Sequence, residues 1–135
     1  MKIVFDTNVL LAAFISPSGR SHELVERCAT LHKIICSEFI IGELRDKLLN
    51  KFERESSEVE RAIALLRVRM QIVIPTSLDE PVSRDSKDDP ILGTAIAGEA
   101  ERIITGDKDL LVLESYRGIK IMKPSDFLIE DEDQK

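Results

Sequence analysis

The chain has 135 residues, 43% of them hydrophobic, and a formal net charge of −6, which fits one domain with a core of useful volume. The run Met1 to Phe5 breaks at Asp6; it is too short for a signal peptide or a membrane span, so a cytoplasmic protein is expected. Cys28 and Cys36 form no CxxC pair and lie at no zinc-finger spacing from His22 and His32, which argues against a structural zinc and for free thiols in a reducing compartment.

Lys2 to Phe5 reads as a buried strand running straight into a helix from Thr7 to Phe14, with Asp6 at the junction. After the turn Ser16-Pro17-Ser18-Gly19, the apolar positions Leu24, Val25, Cys28 and Leu31 recur at helical spacing up to Lys33. Ile34 to Cys36 is a second strand. Ser37 caps a helix to about Asn50, and the capping pattern Ser57-x-x-Glu60 opens another to about Arg69. Ile72 to Ile74 forms a third strand stopped by Pro75, and the polar stretch from Thr76 to Asp88 is expected to be a loop.

Asp89 as N-cap with Pro90 in the first helical position starts a helix that ends near Gly98. Arg102 to Thr105 is a fourth strand, Asp107 to Leu113 a short helix, Ile119 to Met122 a fifth strand and Pro124 to Ile129 a last helix. The acidic residues 130–135 are expected to be a disordered tail beyond a single domain of residues 1–129. Strand and helix alternate throughout, which predicts a parallel sheet covered on both faces by helices. Ligands in such folds bind beyond the carboxyl ends of the strands, where the winding reverses.

Four acids stand where they can reach one end of that sheet: Asp6, Glu43, Asp89 and Asp107. Each has a simpler explanation. Asp6, Asp89 and Asp107 suit helix N-caps, and Glu43 is spaced to pair with Lys47 one turn later. On the helical wheel, however, Glu43 falls between Phe39 and Ile40 at the margin of the apolar arc. Carboxylates gathered in one crevice repel one another and resist desolvation, so a fold that assembles them needs cations. An all-oxygen set favours one or two Mg²⁺ or Mn²⁺ ions. Such a site suits phosphodiester hydrolysis with water as nucleophile. His22 and His32 lie away from the strand ends, so neither is expected to bind metal.

An excess of acid is unusual for a protein that handles nucleic acid. Much of it falls in the tail, with four acids and one lysine between Glu130 and Lys135, and two divalent ions would turn the remaining body slightly positive. Basic residues cluster between Lys47 and Arg69, among them Lys51, Arg54, Arg61, Arg67 and Arg69, and are expected either to form a basic face beside the site or to be ordinary solvated helix surface. The chain has no GxxxxGK[ST] or GxGxxG loop, so no cradle for a nucleoside triphosphate or dinucleotide is visible.

Four segments, MKIVFDTNVLLAAF, SEFIIGEL, DDPILGTAIA and ITGDKDLL, together resemble the PIN domain over nearly the whole chain. The closing IKIMKPSDFL resembles, more narrowly, the VapC-like toxin components of prokaryotic toxin–antitoxin pairs. The resemblance implies a three-layer α/β/α sandwich with a five-stranded parallel sheet and Mg²⁺- or Mn²⁺-dependent cleavage of single-stranded RNA. It gives Asp6, Glu43, Asp89 and Asp107 as metal-binding acids, with Asp88 as the alternative to Asp89 if the helix starts one residue earlier. Thr7, Asn8, Thr105 and Asp109 resemble positions that orient those carboxylates. The resemblance further implies a homodimer and inhibition by a small antitoxin.

Three other readings compete. A receiver domain shares the alternation, and Lys123-Pro124 matches its Lys-Pro, but the third strand runs into Pro75-Thr76 where a phosphoacceptor Asp belongs, and only Asp6 stands where an acidic pair is needed. A dehalogenase-type phosphatase would need an Asp where Asn8 stands. The other reading is a catalytically silent PIN module that binds RNA or protein.

Overall fold

The computed structural model describes residues 1–78, 81–82 and 89–133. In chain order the elements are β1 (Lys2–Phe5), α1 (Thr7–Ile15), α2 (Arg20–Leu31), β2 (Lys33–Ser37), α3 (Glu38–Asp46), a π-helical turn Lys47–Lys51, α4 (Ser56–Arg69), β3 (Gln71–Val73), α5 (Asp89–Ala97), β4 (Arg102–Ile104), α6 (Lys108–Leu111), β5 (Ser115–Tyr116), β6 (Ile119–Met122) and α7 (Pro124–Asp133). The sheet runs β3-β2-β1-β4-β6-β5. Its first five members pair in parallel, and β5 is antiparallel to β6.

The expected five parallel strands are therefore present, with a sixth at the edge. Arg117 and Gly118 turn the chain between β5 and β6 with φ of 49° and 82°. Positive φ at both central residues is what a two-residue hairpin turn needs, and glycine takes it without strain.

Right-handed crossovers put α1 to α4 on one face, because β1, β2 and β3 step outward in one direction, and put α5 on the other, because the chain steps back from β3 to β4. Helices thus cover both faces of a central sheet. Beyond their charged first residues Lys2, Lys33 and Arg102, the central strands are built on apolar side chains: Ile3, Val4, Phe5, Ile34, Ile35, Ile103 and Ile104 are all buried, as expected where both faces are covered.

Several local expectations are corrected. The hydroxyl of Ser37 accepts from the Ile40 N–H and caps α3 as read, whereas α4 starts at Ser56 after Glu55 with no side-chain cap bond, so the Ser57–Glu60 box is not the helix start. Asp89 lies inside α5 as its first residue instead of capping it. Gly93 lets α5 approach the segment after β3: the Thr76 N–H donates to the Gly93 carbonyl at 3.0 Å, and a Cβ on Gly93 would lie 2.3 Å from the Thr76 carbonyl oxygen.

The largest correction concerns the acidic end. Helix α7 continues through Glu130 and Asp131 to Asp133, so these residues are not a disordered tail. Asp131 is only 6% exposed; it accepts from Arg27 Nε and faces His32 Nε2, both at 2.8 Å, while the other ring nitrogen of His32 lies 3.1 Å from the Met1 amino group. Glu130 takes both ends of the Arg102 guanidinium. Charge at this end of the chain is neutralised by partners distant in sequence, and that is what a composition argument omits.

Burial alone would raise the Asp131 carboxyl, but the hydrogen bonds from Arg27 and His32 outweigh it and hold it below its ordinary value. Its stabilising contribution is therefore present above the unfolded value and is lost as pH falls through the lower folded one. Asp131→Asn removes the charge that Arg27 and His32 both hold and should cost about 2 kcal/mol, a fall of roughly 6–10 °C in Tm near neutral pH. Thermal melts should show the gap between variant and wild type closing as the pH drops below the folded value.

Candidate functional site

The winding direction reverses between β1 and β4, the two central parallel strands. Their register aligns Phe5 with Ile104, so the residues that follow, Asp6 and Thr105, leave the sheet side by side. The Asp6 N–H extends the ladder to the Ile104 carbonyl at 3.0 Å. Asp6 is 7% exposed and Thr105 is fully buried.

The Thr105 hydroxyl donates to Asp6 Oδ2 at 2.7 Å and accepts the Asp107 N–H at 3.0 Å. One side chain thus positions two of the predicted acids. Asp107 caps α6, with Oδ1 accepting the Asp109 N–H at 2.8 Å. Asp109 therefore supports Asp107 through its backbone, and the capping role and the site role of Asp107 coincide.

Glu43 is brought in from α3. Thr7, the first residue of α1, donates its hydroxyl to Glu43 Oε1 at 2.7 Å. The next residue, Asn8, accepts from Lys47 Nζ at 2.9 Å. Consecutive residues of α1 are thereby clipped to successive turns of the helix that follows β2. The i, i+4 pair of Glu43 with Lys47 that the sequence offered is not formed, since each takes a partner on α1.

Burial raises the pKa of Asp6 above its ordinary value; the Thr105 hydroxyl and the Thr7 N–H pull it down without offsetting the rise, and the charges of Asp107 and Glu43 push it further up. Three predicted acids are therefore close enough to repel. Both carboxylate oxygens of Asp89, the fourth predicted acid, face the Val82 N–H, at 3.4 and 3.2 Å. Asp88, its alternative, lies outside the described residues.

Among the described residues, no three His, Cys, Asp or Glu side chains close around one ion-sized point. The donor chemistry nevertheless fits a hard divalent cation, because Mg²⁺ keeps several waters and needs only one or two carboxylates from the protein. Asp6 and Asp107, with Glu43 beside them, are the residues that would hold it. His22 and His32 take no part: one approaches the Ala13 carbonyl at 3.3 Å and the other belongs to the Asp131 cluster.

Most arginines of the basic stretch take local partners. Arg67 pairs with Glu38, Arg69 with Glu26 at 2.7 Å, and Arg54 with Glu58 at 3.4 Å, while the Lys51 ammonium lies 5.7 Å from the centre of the Phe52 ring. Arg61 is exposed and forms no ion pair among the described residues. Lys47, the first residue of the basic stretch, is the member that reaches the site, where it donates to Asn8 in place of pairing with Glu43.

The comparisons with known proteins speak to the family and the fold. The model of the PIN domain matches residues 2–109. The chain is 28% identical over 145 aligned positions to an uncharacterized protein, MJ1680, of Methanocaldococcus jannaschii, covering 98% of this chain and 92% of that one. Among solved structures it is similar to VapBC2 from Rickettsia felis, crystallised bound to a DNA fragment from the promoter, with a TM-score of 0.64 and 15% identity over 90% of this chain and 97% of that one. It is similar also to VapBC-1 from nontypeable Haemophilus influenzae, with a TM-score of 0.62 and 19% identity over 93% and 99% of the two chains. At these identities the two structures speak to the fold.

Two outcomes test the electrostatics. Because the folded pKa of Asp6 is raised above the unfolded value, its contribution favours folding below the unfolded value and is lost as pH rises through the folded one. Metal-free Asp6→Asn, which removes that charge, should therefore melt at a higher temperature than wild type at pH 7, and calorimetry should show the advantage shrinking as the pH is lowered through the raised value. Thr105→Val keeps the shape but removes the hydroxyl; it should raise the Asp6 carboxyl further in an NMR titration and cost about 1–2 kcal/mol by stranding the Asp107 N–H, with Thr105→Ser restoring both.

Proposed function

We propose that this chain, which belongs to the PIN-domain family, is a divalent-metal-dependent endoribonuclease that cleaves single-stranded RNA. The observation that carries the proposal is the buried Asp6, repelled by Asp107 and Glu43, at the point where the sheet reverses its winding. A bare protein has no use for that repulsion. An electropositive ligand turns it into affinity.

When bound, Mg²⁺ or Mn²⁺ supplies Lewis acidity at the phosphodiester and lowers the pKa of an attacking water. The protein's contribution is orientation. Asp6 is held by the Thr105 hydroxyl and the Thr7 N–H, so its carboxylate keeps one direction as the site fills. Asp107 is fixed by the Asp109 N–H, and Glu43 by Thr7. In-line attack by water breaks the P–O3′ bond and leaves a 5′-phosphate and a 3′-hydroxyl.

The VapBC likenesses support a further part of the reading, that the chain is the toxin of a toxin–antitoxin pair and is silenced by an antitoxin; the proposal adds that it acts in the cytoplasm as a homodimer. Among the described residues no helix is long and apolar enough to cross a membrane.

The test compares wild type with Asp6→Asn on labelled single-stranded RNA, with Mn²⁺ and with chelator. Wild type should cleave only with the metal, and the variant should lose at least about a hundredfold in rate. Mn²⁺ at about a hundred times its dissociation constant should also stabilise wild type by roughly 2.7 kcal/mol and leave the variant's Tm almost unmoved. Equal cleavage by both proteins would mean a contaminating nuclease and would remove the proposal. RNA binding without cleavage would favour the silent module instead.

A further inference from the structure

Lys47 stands out once the cations around it are accounted for. Arg45 pairs with Glu60, Arg54 with Glu58, Arg67 with Glu38 and Arg69 with Glu26, so every arginine of this stretch with a described partner is neutralised by a carboxylate. Lys47 forms no ion pair among the described residues. Its ammonium is held by a neutral amide, Asn8 Oδ1, at 2.9 Å. The carboxylate one helical turn back, Glu43, accepts from Thr7 through Oε1.

The position of this charge is set by the site itself. Asn8 follows Asp6 and Thr7 in the chain, and Lys47 opens the π-helical turn one turn after Glu43. Thr7 to Glu43 and Asn8 to Lys47 are parallel clips between the same two helices, one ending in an acid and the other in a cation. The ammonium therefore sits on the rim of the acidic pocket, with its stem half-buried and its tip tied to the exposed Asn8. A π-helical turn changes which side chains face a neighbouring element and is often found at functional positions.

A polyanion approaching Asp6, Asp107 and Glu43 meets like charge on three sides, and a fixed unneutralised cation at the edge gives one of its phosphates a favourable seat. Lysine suits this, because an ammonium acts as a compact point charge toward phosphate and needs no fork geometry. We propose that Lys47, held by Asn8, binds a backbone phosphate of the RNA beside the pocket and so aligns the strand for cleavage. The proposal rests on the ribonuclease reading above.

The experiment measures Michaelis parameters with Mn²⁺ and, separately, binding of a labelled single-stranded RNA by fluorescence anisotropy in chelator over about 50 to 200 mM salt. Proteins compared are wild type, Lys47→Gln, Lys47→Arg and Lys33→Gln, the last on the exposed start of β2 at the opposite end of the sheet. Lys47→Gln should raise KM about tenfold with little change in kcat. Its salt dependence should flatten by about 0.7 in slope, the loss of one phosphate contact on a single strand. Lys47→Arg should recover most of both effects, and Lys33→Gln should match wild type.

A wild type that cleaves, beside a Lys47→Gln variant with unchanged KM and salt slope, overturns the role of Lys47 and leaves the nuclease reading standing. A variant that loses kcat and thermal stability at an unchanged slope, without recovery in Lys47→Arg, makes Lys47 a structural clip and overturns it too. A wild type that neither binds nor cleaves RNA removes both proposals together.

Discussion

A carboxylate buried at the inner end of the first strand is the constraint around which the rest is arranged. Asp6 leaves the sheet from a strand whose preceding residues are wholly apolar and buried, and in the absence of counter-charge its ionised form is costly there. Two donors hold it, a hydroxyl from the adjacent strand and a backbone N–H from the helix it precedes. The hydroxyl is available only because β1 and β4 pair in parallel with Phe5 opposite Ile104. A slip of one residue would turn Thr105 to the other face of the sheet.

The same economy of partners governs the remaining charges. An acidic chain can fold stably when its acids are matched one by one, and here most of the arginines are committed to that task. Arg27 and His32 take Asp131, Arg102 takes Glu130, and Arg45, Arg67 and Arg69 take glutamates of neighbouring helices. Exposed pairs of this kind add little stability individually. The half-buried group around Asp131 is different, since removing one member strands charges that have already lost water. It also draws α7 onto α2 and ties the last helix to the first strand's edge.

Much of this was legible before any coordinates. The order of strands and helices, the capping of α3 by Ser37 and the placement of Asp6 and Asp107 at strand ends follow from short-range signals: hydrophobic period, cap residues and strand-breaking acids. The failures share a cause. The β5–β6 hairpin is carried by a two-residue strand too short for any periodicity to register, and only the Arg117-Gly118 turn betrayed it. Residues 130–133 looked like a solvated acidic end because their partners, Arg27, His32 and Arg102, are 28 to 104 positions away along the chain. Glu43 and Lys47 matched the helical ion-pair spacing, yet both are claimed by α1.

Sequence alone determined the periodicities, the cap and turn residues and the supply of acids, since these depend on neighbours within a few positions. Tertiary structure decided which oxygens meet. Strand order brings Thr105 to Asp6, and the packing of α1 on α3 brings Thr7 to Glu43 and Asn8 to Lys47. Asp89 shows the difference most clearly: its type and position suited a helix cap, and the fold gives its carboxylate the N–H of Val82, seven residues back in the chain. Electrostatic interaction falls off with distance in space, and distance in space is a property the chain acquires only by folding.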